Sequence, residues 1–424
     1  MKGADLYLKR YAWPDSLIEE IPDEDLALVV VIPAYNEPDL ISSLKAMANC
    51  EQPACDVEII TVLNYSEDAS KEIVRNSRKT IEQVEQWSKE NSRPGVKFLT
   101  IWAGGLKKKF AGPGLARKIG MDEAVRRIYQ VGKQNGLVVS FDADCSCDTN
   151  YLVEIYNLFI SKKDFNGCAV YYEHYPLQQE NHLTGHIINY ELHLRYYSDA
   201  LQFAGYPYPY HTIGSTMVVT AKAYIAVGGM NRRKAGEDFF FLQKIFPMGG
   251  FYYLNTTTVY PSPRVSDRVP FGTGATMTKL ESSHSYLYPT YNLQSFFALR
   301  DFLILKDRWY NANARMVSEL LDGLPQAMQV WLRENDFPGH LQRIRSNSAS
   351  HKTFQKAFFQ WFNRFNVLKY VHFARDQYYA NIDVIDAVNG LMEHLNTDWD
   401  KTDDRKELLL ALRYHDRLGK PLNL

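Results

Sequence analysis

Leu26 to Ala34 reads LALVVVIPA, a run with no charged side chain and no polar face. A surface helix or a one-sided strand would show a polar stripe, so a continuous β-branched run of this length calls for a strand covered on both faces. A chain carrying such a strand must supply layers above and below it. Val57 to Leu63 (VEIITVL), Val96 to Ile101 and Leu137 to Phe141 repeat the signature. Helical spacing fills the gaps. Pro38 opens a segment with Leu40, Ile41, Leu44 and Met47 on one face; Asp68 to Ser88 carries Ile73, Val74, Ile81, Val84 and Trp87; a third helix runs from Pro113 to Val131. Four strands alternating with three helices predict an α/β fold with a doubly wound, mostly parallel sheet.

The pattern continues with a helix over Tyr151 to Ser161 and a strand over Cys168 to Tyr172. A Tyr- and His-rich stretch, Glu173 to His211, reads as an insertion that shapes a cleft. A strand over Ile213 to Thr220, a short helix ended by Gly228-Gly229, a helix over Glu237 to Phe246 and a strand over Phe251 to Tyr260 complete the sheet. Ser262 to Thr278 is a Pro/Gly-rich loop, and loops of that length in compact proteins are usually functional or disordered. From Pro289 onward the character is helical. The expected organisation is an arm over 1–25, a sheet domain over 26–285 and a helical region over 286–424.

Of 424 residues, 46% are hydrophobic and 23% charged, enough to build a large core. Lys and Arg number 48 against 49 Asp and Glu, so no overall field draws nucleic acid or an anionic membrane. Five scattered cysteines do not form a secreted disulfide pattern, and the charged, aromatic N-terminus is unlike a signal peptide. A cytoplasmic location is expected. Even the apolar stretch from Ser295 to Leu305 is interrupted by Arg300 and Asp301, so no membrane span is expected, and peripheral membrane contact stays open.

Chemistry concentrates in three places. Asp142-Ala143-Asp144 follows the buried strand LVVSF, and ligands of open parallel sheets bind at the carboxyl ends of strands. Two carboxylates there suit a hard divalent cation, although Asp144 or Asp148 could equally cap the next helix. Cys145 and Cys147 lack the partner pair of a thiolate zinc site and read as structural. Gly112-Pro113-Gly114 opens a helix with Arg117 and Lys118 in its first turns, chemistry suited to a diphosphate or to an ordinary connector. Gly236-Glu237-Asp238 precedes Phe239, Phe240 and Phe241. There an apolar setting raises the proton affinity of an acid toward that of a base, Asp238 being the better placed, with capping as the alternative.

Five segments occur in an order and spacing that resemble family 2 glycosyltransferases of the GT-A fold: VVVIPAYNE (Val29 to Glu37), LNYSEDAS (Leu63 to Ser70), GPGLARKIGMDEA (Gly112 to Ala124), SFDAD (Ser140 to Asp144) and GEDFFF (Gly236 to Phe241). The resemblance covers about Leu26 to Tyr260. It implies a nucleotide-sugar donor held at Pro33, Ala34, Tyr35, Glu37 and Asn64, and a DXD motif, Asp142 and Asp144, holding Mn²⁺ or Mg²⁺ on the donor diphosphate. It makes Asp238 the base of an inverting transfer to a hydroxyl of a carbohydrate, lipid or small molecule. Asn64 stands where the family commonly has Asp, which puts the usual preference for uracil in doubt. Arg264 and Arg268 in the long loop suit phosphate oxygens or surface ion pairs. His211 and His284 are candidates for acceptor contact or a third metal ligand, or structural residues, and the tyrosines of YPYPYH (Tyr206 to His211) could stack on an acceptor or pack a core. A nucleotidyltransferase and a non-catalytic sugar-nucleotide-binding scaffold are the alternatives; PAYNE after the first strand disfavours the former, and intact Asp142, Asp144 and Asp238 the latter.

Overall fold

The computed structural model describes residues 2–174, 182–263, 288–395 and 399–418. Its main sheet contains β1 (Leu26–Ala34), β2 (Asp56–Ser66), β3 (Val96–Leu106), β4 (Leu137–Ser140), β5 (Ser146–Cys147), β6 (Gly167–Tyr172), β7 (Met217–Thr220) and β8 (Phe251–Tyr260), in the order β3-β2-β1-β4-β7-β6-β8-β5. β1 is parallel to both of its neighbours, β2 and β4, and all of its residues except Pro33 are buried. That is the environment its apolar run requires. β2 with β3 and β6 with β8 are also parallel, whereas β7 runs antiparallel between β4 and β6, and β5 antiparallel on β8. The sheet is mostly parallel, as expected. The run expected as a strand from Ile213 is shortened because Gly214–Thr216 makes a 3₁₀ turn before β7.

Helices α1 (Lys2–Arg10), α2 (Leu40–Ala48), α3 (Lys71–Asn91), α4 (Pro113–Gln130), α5 (Tyr151–Ser161), α6 (His182–Phe203), α7 (Ala221–Ala226) and α8 (Glu237–Ile245) accompany these strands. Ser70 starts α3 by accepting a hydrogen bond from Ile73 N, a cap that satisfies one of the first-turn amides. α4 sits so close to the sheet that a Cβ on Gly120 would lie 2.3 Å from Val31 Cγ1 and 2.8 Å from Val62 Cγ2. Five of its six charged residues, Arg117, Lys118, Asp122, Glu123 and Arg127, are buried. Each has a partner, because an unpaired buried charge costs several kcal/mol (about 3–5). Arg127 forms a two-point pair with Glu58 of β2 at 2.5 and 2.7 Å.

The N-terminal arm supplies much of that pairing. Asp122 accepts from Tyr7 Oη at 2.6 Å, Tyr224 Oη at 2.8 Å and Trp13 N at 2.8 Å, and pairs with Lys118 at 2.9 Å. Glu123 accepts from Ser16 Oγ and Leu17 N, and Arg127 donates to the Glu20 carbonyl. Residues before β1 therefore complete the polar side of α4.

The chain divides into two compact units, Met1–Thr184 with Thr212–Ser282, and Gly185–His211 with Ser283–Leu424. From Gly185 on, α6 falls in the second unit, away from the sheet grouping read for it in the sequence. That unit is helical, with a short antiparallel ladder between Pro289–Thr290 and Ile382–Asp383. Its core is aromatic: Phe302 touches Trp309, Phe337 and Phe362 at ring separations of 6.0, 5.4 and 5.0 Å. Glu191 of α6 is buried between Arg195 and Arg413. Among the described residues no helix is long and apolar enough to cross a membrane.

Candidate active site

The carboxyl ends of β1, β2 and β4 present the first group of candidates. β1 ends at Ala34 and turns through Asn36, whose φ of 44° lies in the left-handed region that Asn tolerates better than most residues. Glu37 closes the turn by accepting from Asp39 N at 2.9 Å. Asn64, buried at the end of β2, donates from Nδ2 to the Ala34 carbonyl at 3.0 Å, so the two strand ends are tied by a side-chain amide. Pro33 and Tyr35 are half-buried beside them.

After β4 the chain turns at Asp142, with Cys145 N donating to the Asp142 carbonyl at 3.1 Å. Ser43 of α2 holds the turn from below, its Oγ lying 2.8 Å from the Ala143 carbonyl oxygen and 2.7 Å from that of Cys145. Asp142, Asp144 and Cys145 bring ligand-type atoms within 4.8 Å of one another, the one such group among the described residues. Burial, reinforced by Asp144 and Asp142, pushes the Cys145 thiol well above its usual range. The two carboxylates are thus the atoms fit for a hard cation, and the protonated thiol is a poor ligand for one. Cys147 lies against Cys50, Sγ to Sγ 3.7 Å, and all five cysteines are free thiols.

Arg117 is the centre of the site. Nε donates to Ser140 Oγ at 3.2 Å, Nη2 pairs with Asp142 and Nη1 with Glu237. Burial works against the guanidinium charge, and Asp142 and Asp238 more than offset it. Asp238 follows Glu237 in the first turn of α8, where Gly236 takes a left-handed φ of 65°. Desolvation raises the proton affinity of Asp238, Arg117 lowers it, and Asp142 adds to the rise. The net direction is upward, as an acid held in an apolar setting requires.

Several expectations need correcting. Lys118 is buried and taken up by the protein itself, donating to Tyr7 Oη at 3.2 Å and pairing with Asp122. Arg117 is spent on internal carboxylates. Gly112 and Gly114 serve close packing: a Cβ on Gly114 would lie 2.2 Å from the Arg233 carbonyl oxygen. Glu237, which the local sequence passes over in favour of Asp238, is 3% exposed. A buried arginine on a helix most of whose residues are buried was the available signal for it, since such a charge needs a counter-charge. His211 belongs to the second unit, where burial and then Arg195 and Arg364 lower its pKa to about 3. The YPYPYH tyrosines pack: Tyr206 meets Tyr208 and Phe359, and the Tyr208 and Tyr210 carbonyls accept from Arg364. Arg264, Arg268, His284 and most of the long loop after Pro263 lie outside the described residues.

Residues 137–373 match Glycosyl transferase family group 2, and residues 29–228 match Glycosyl transferase family 2. The first match spans more than half of the chain. The protein belongs to glycosyl transferase family group 2, and it is a glycosyltransferase. Among solved structures, S. aureus TarS 1–349 in complex with UDP-GlcNAc is similar with a TM-score of 0.38 and 13% identity, over 94% of this chain and 88% of that one. The same TarS segment in complex with UDP gives 0.38 and 11%, over 80% and 91%. No curated protein is significantly similar in sequence.

Proposed function

We propose that this glycosyltransferase is inverting and divalent-metal dependent, moving a sugar from a nucleotide-sugar donor to a hydroxyl acceptor. The observation that supports it most is the joining of Asp142, beside Asp144, to the turn that carries Asp238 through one buried guanidinium. Asp142 and Asp144 would hold Mn²⁺ or Mg²⁺, which when bound offsets the charge that develops on a departing diphosphate. Pro33, Ala34, Tyr35, Glu37 and Asn64 line the strand ends where a nucleoside would lie. Asn64 commits its amide nitrogen to Ala34 and offers Oδ1 to a base N–H.

Asp238 supplies the base. Its carboxylate takes the acceptor proton as the acceptor oxygen bonds to the anomeric carbon, and the bond from that carbon to the diphosphate oxygen breaks on the opposite face. One displacement with one base inverts the anomeric centre. Proton affinity raised by desolvation, and held in check by Arg117, suits a group that must accept a proton near neutral pH. Membership of the family removes the nucleotidyltransferase alternative. A scaffold would bind donor without turnover.

The test is donor hydrolysis and transfer with UDP-, GDP- and TDP-sugars in Mn²⁺, Mg²⁺ or EDTA, followed by NMR of the product's anomeric proton. Metal-stimulated turnover with inversion is expected. Turnover unaffected by EDTA refutes metal dependence, and retention refutes the single displacement.

A further inference from the structure

Arg117 has 5% of its surface exposed, and its three donor nitrogens are spent on Ser140, Asp142 and Glu237. One guanidinium is thus shared by two carboxylates, one of which is a proposed metal ligand. From this geometry we infer that Glu237 is a positioning residue for the metal site, holding Arg117 in a shared pair so that Asp142 can take a cation. The inference rests on the metal-dependent reading above.

The charge arithmetic gives the reason. Asp142 and Arg117 alone would form a neutral one-to-one pair, and a cation arriving at Asp142 would have to compete with a desolvated guanidinium. With Glu237 present, the three groups carry one net negative charge, and Arg117 keeps a counter-charge when Asp142 turns toward a metal. A glutamate at the first position of a helix ordinarily serves the helix dipole from solvent. This one is buried, and the backbone is shaped around its pair. A Cβ on Gly214 would lie 2.6 Å from Arg117 Nη2, and one on Gly114 would lie 3.0 Å from Glu237 Cβ. Because Glu237 and Asp238 are adjacent, the same bridge fixes the acid-bearing turn against the Asp142 turn.

The experiment is Mn²⁺ titration followed by the free-Mn²⁺ EPR signal, without donor, on wild type, E237Q, R117Q and R117Q/E237Q, with thermal melts to confirm folding. E237Q should bind Mn²⁺ about tenfold more weakly, the lower end of the coupling measured between close charge pairs. R117Q/E237Q should return to wild-type affinity or tighter, because the competing cation is gone. A residue that merely supports the fold would leave the double variant no better than E237Q, and that result overturns the inference. E237Q binding like wild type overturns it as well. If E237Q does not fold, R117Q decides: tighter Mn²⁺ binding than wild type supports the inference, and weaker binding overturns it. Wild type that binds no Mn²⁺ either alone or with UDP, GDP or TDP added refutes the metal-dependent reading itself, a failure distinct from unchanged affinity in E237Q.

Discussion

Replacing Asp122 with Asn should unfasten the N-terminal arm. The side chain has no exposed surface and gathers Tyr7 and Tyr224 hydroxyls on Oδ1, with Trp13 N and the Lys118 ammonium on Oδ2. Asn keeps one acceptor oxygen and turns the other position into a donor. Lys118 loses its counter-charge, and one pair of donors then faces an NH₂ group. Breaking a buried ion pair from one side costs about 3–5 kcal/mol, and stranding a buried donor about 1–3 kcal/mol. Rotation of the amide recovers part of that, leaving about 4 kcal/mol. At roughly 2–4 °C per kcal/mol for a unit of this size, Tm should fall by about 8–16 °C. Scanning fluorimetry reads the shift, and trypsin cleavage at Lys9 and Arg10 should accelerate in the variant. A Tm within about 2 °C of wild type with the arm equally protected would refute the claim that these four donors fasten the arm.

Asp238→Asn should preserve donor affinity while transfer falls by about 10²–10⁴-fold, the usual worth of a general base. In the wild type, activity should be lost on acidification at a pH above the ordinary Asp range, because the raised proton affinity protonates the base early; a limb at the unperturbed value contradicts this role. Gly120→Ala should destabilise by about 1–3 kcal/mol in urea melts despite alanine's helix preference, since the added methyl meets two buried valines; an unchanged midpoint would refute the packing argument. His193, hydrogen-bonded to Thr290, has its pKa lowered to about 4 by burial. Its depressed folded value means stability present above the unfolded pKa of 6.5 and lost as pH falls toward 4. Tm of His193→Gln should therefore fall less over that interval than wild type, and parallel curves would remove the assignment.

The sheet was legible because its strands advertise themselves. The β-branched run LALVVVIPA reads as a doubly covered strand, and Tyr151 to Ser161 shows its helix to the residue. Asp142, Asp144 and Asp238 stand out as candidates because each lies beside a local signature, a buried strand or a run of phenylalanines. What stayed hidden depends on partners far along the chain. The Arg117–Glu237 pair joins residues 120 positions apart, and Tyr7 reaches Asp122 across 115. A local reading of GPGLARK gave Arg117 and Lys118 to phosphate because a helix N-terminus favours anions; the folded chain satisfies both with its own carboxylates. The antiparallel direction of β7 and the departure of α6 into the second unit likewise leave no mark on local periodicity.

The central claim is that Asp142 and Asp144 bind the donor through a divalent cation. Isothermal titration calorimetry of nucleotide sugars with and without Mn²⁺, on wild type and Asp144→Ala, measures it most directly. Donor binding should appear or strengthen with Mn²⁺ in wild type and lose that dependence in the folded variant, since one carboxylate cannot replace the pair. Equal Mn²⁺-dependent affinity in both proteins would contradict the account.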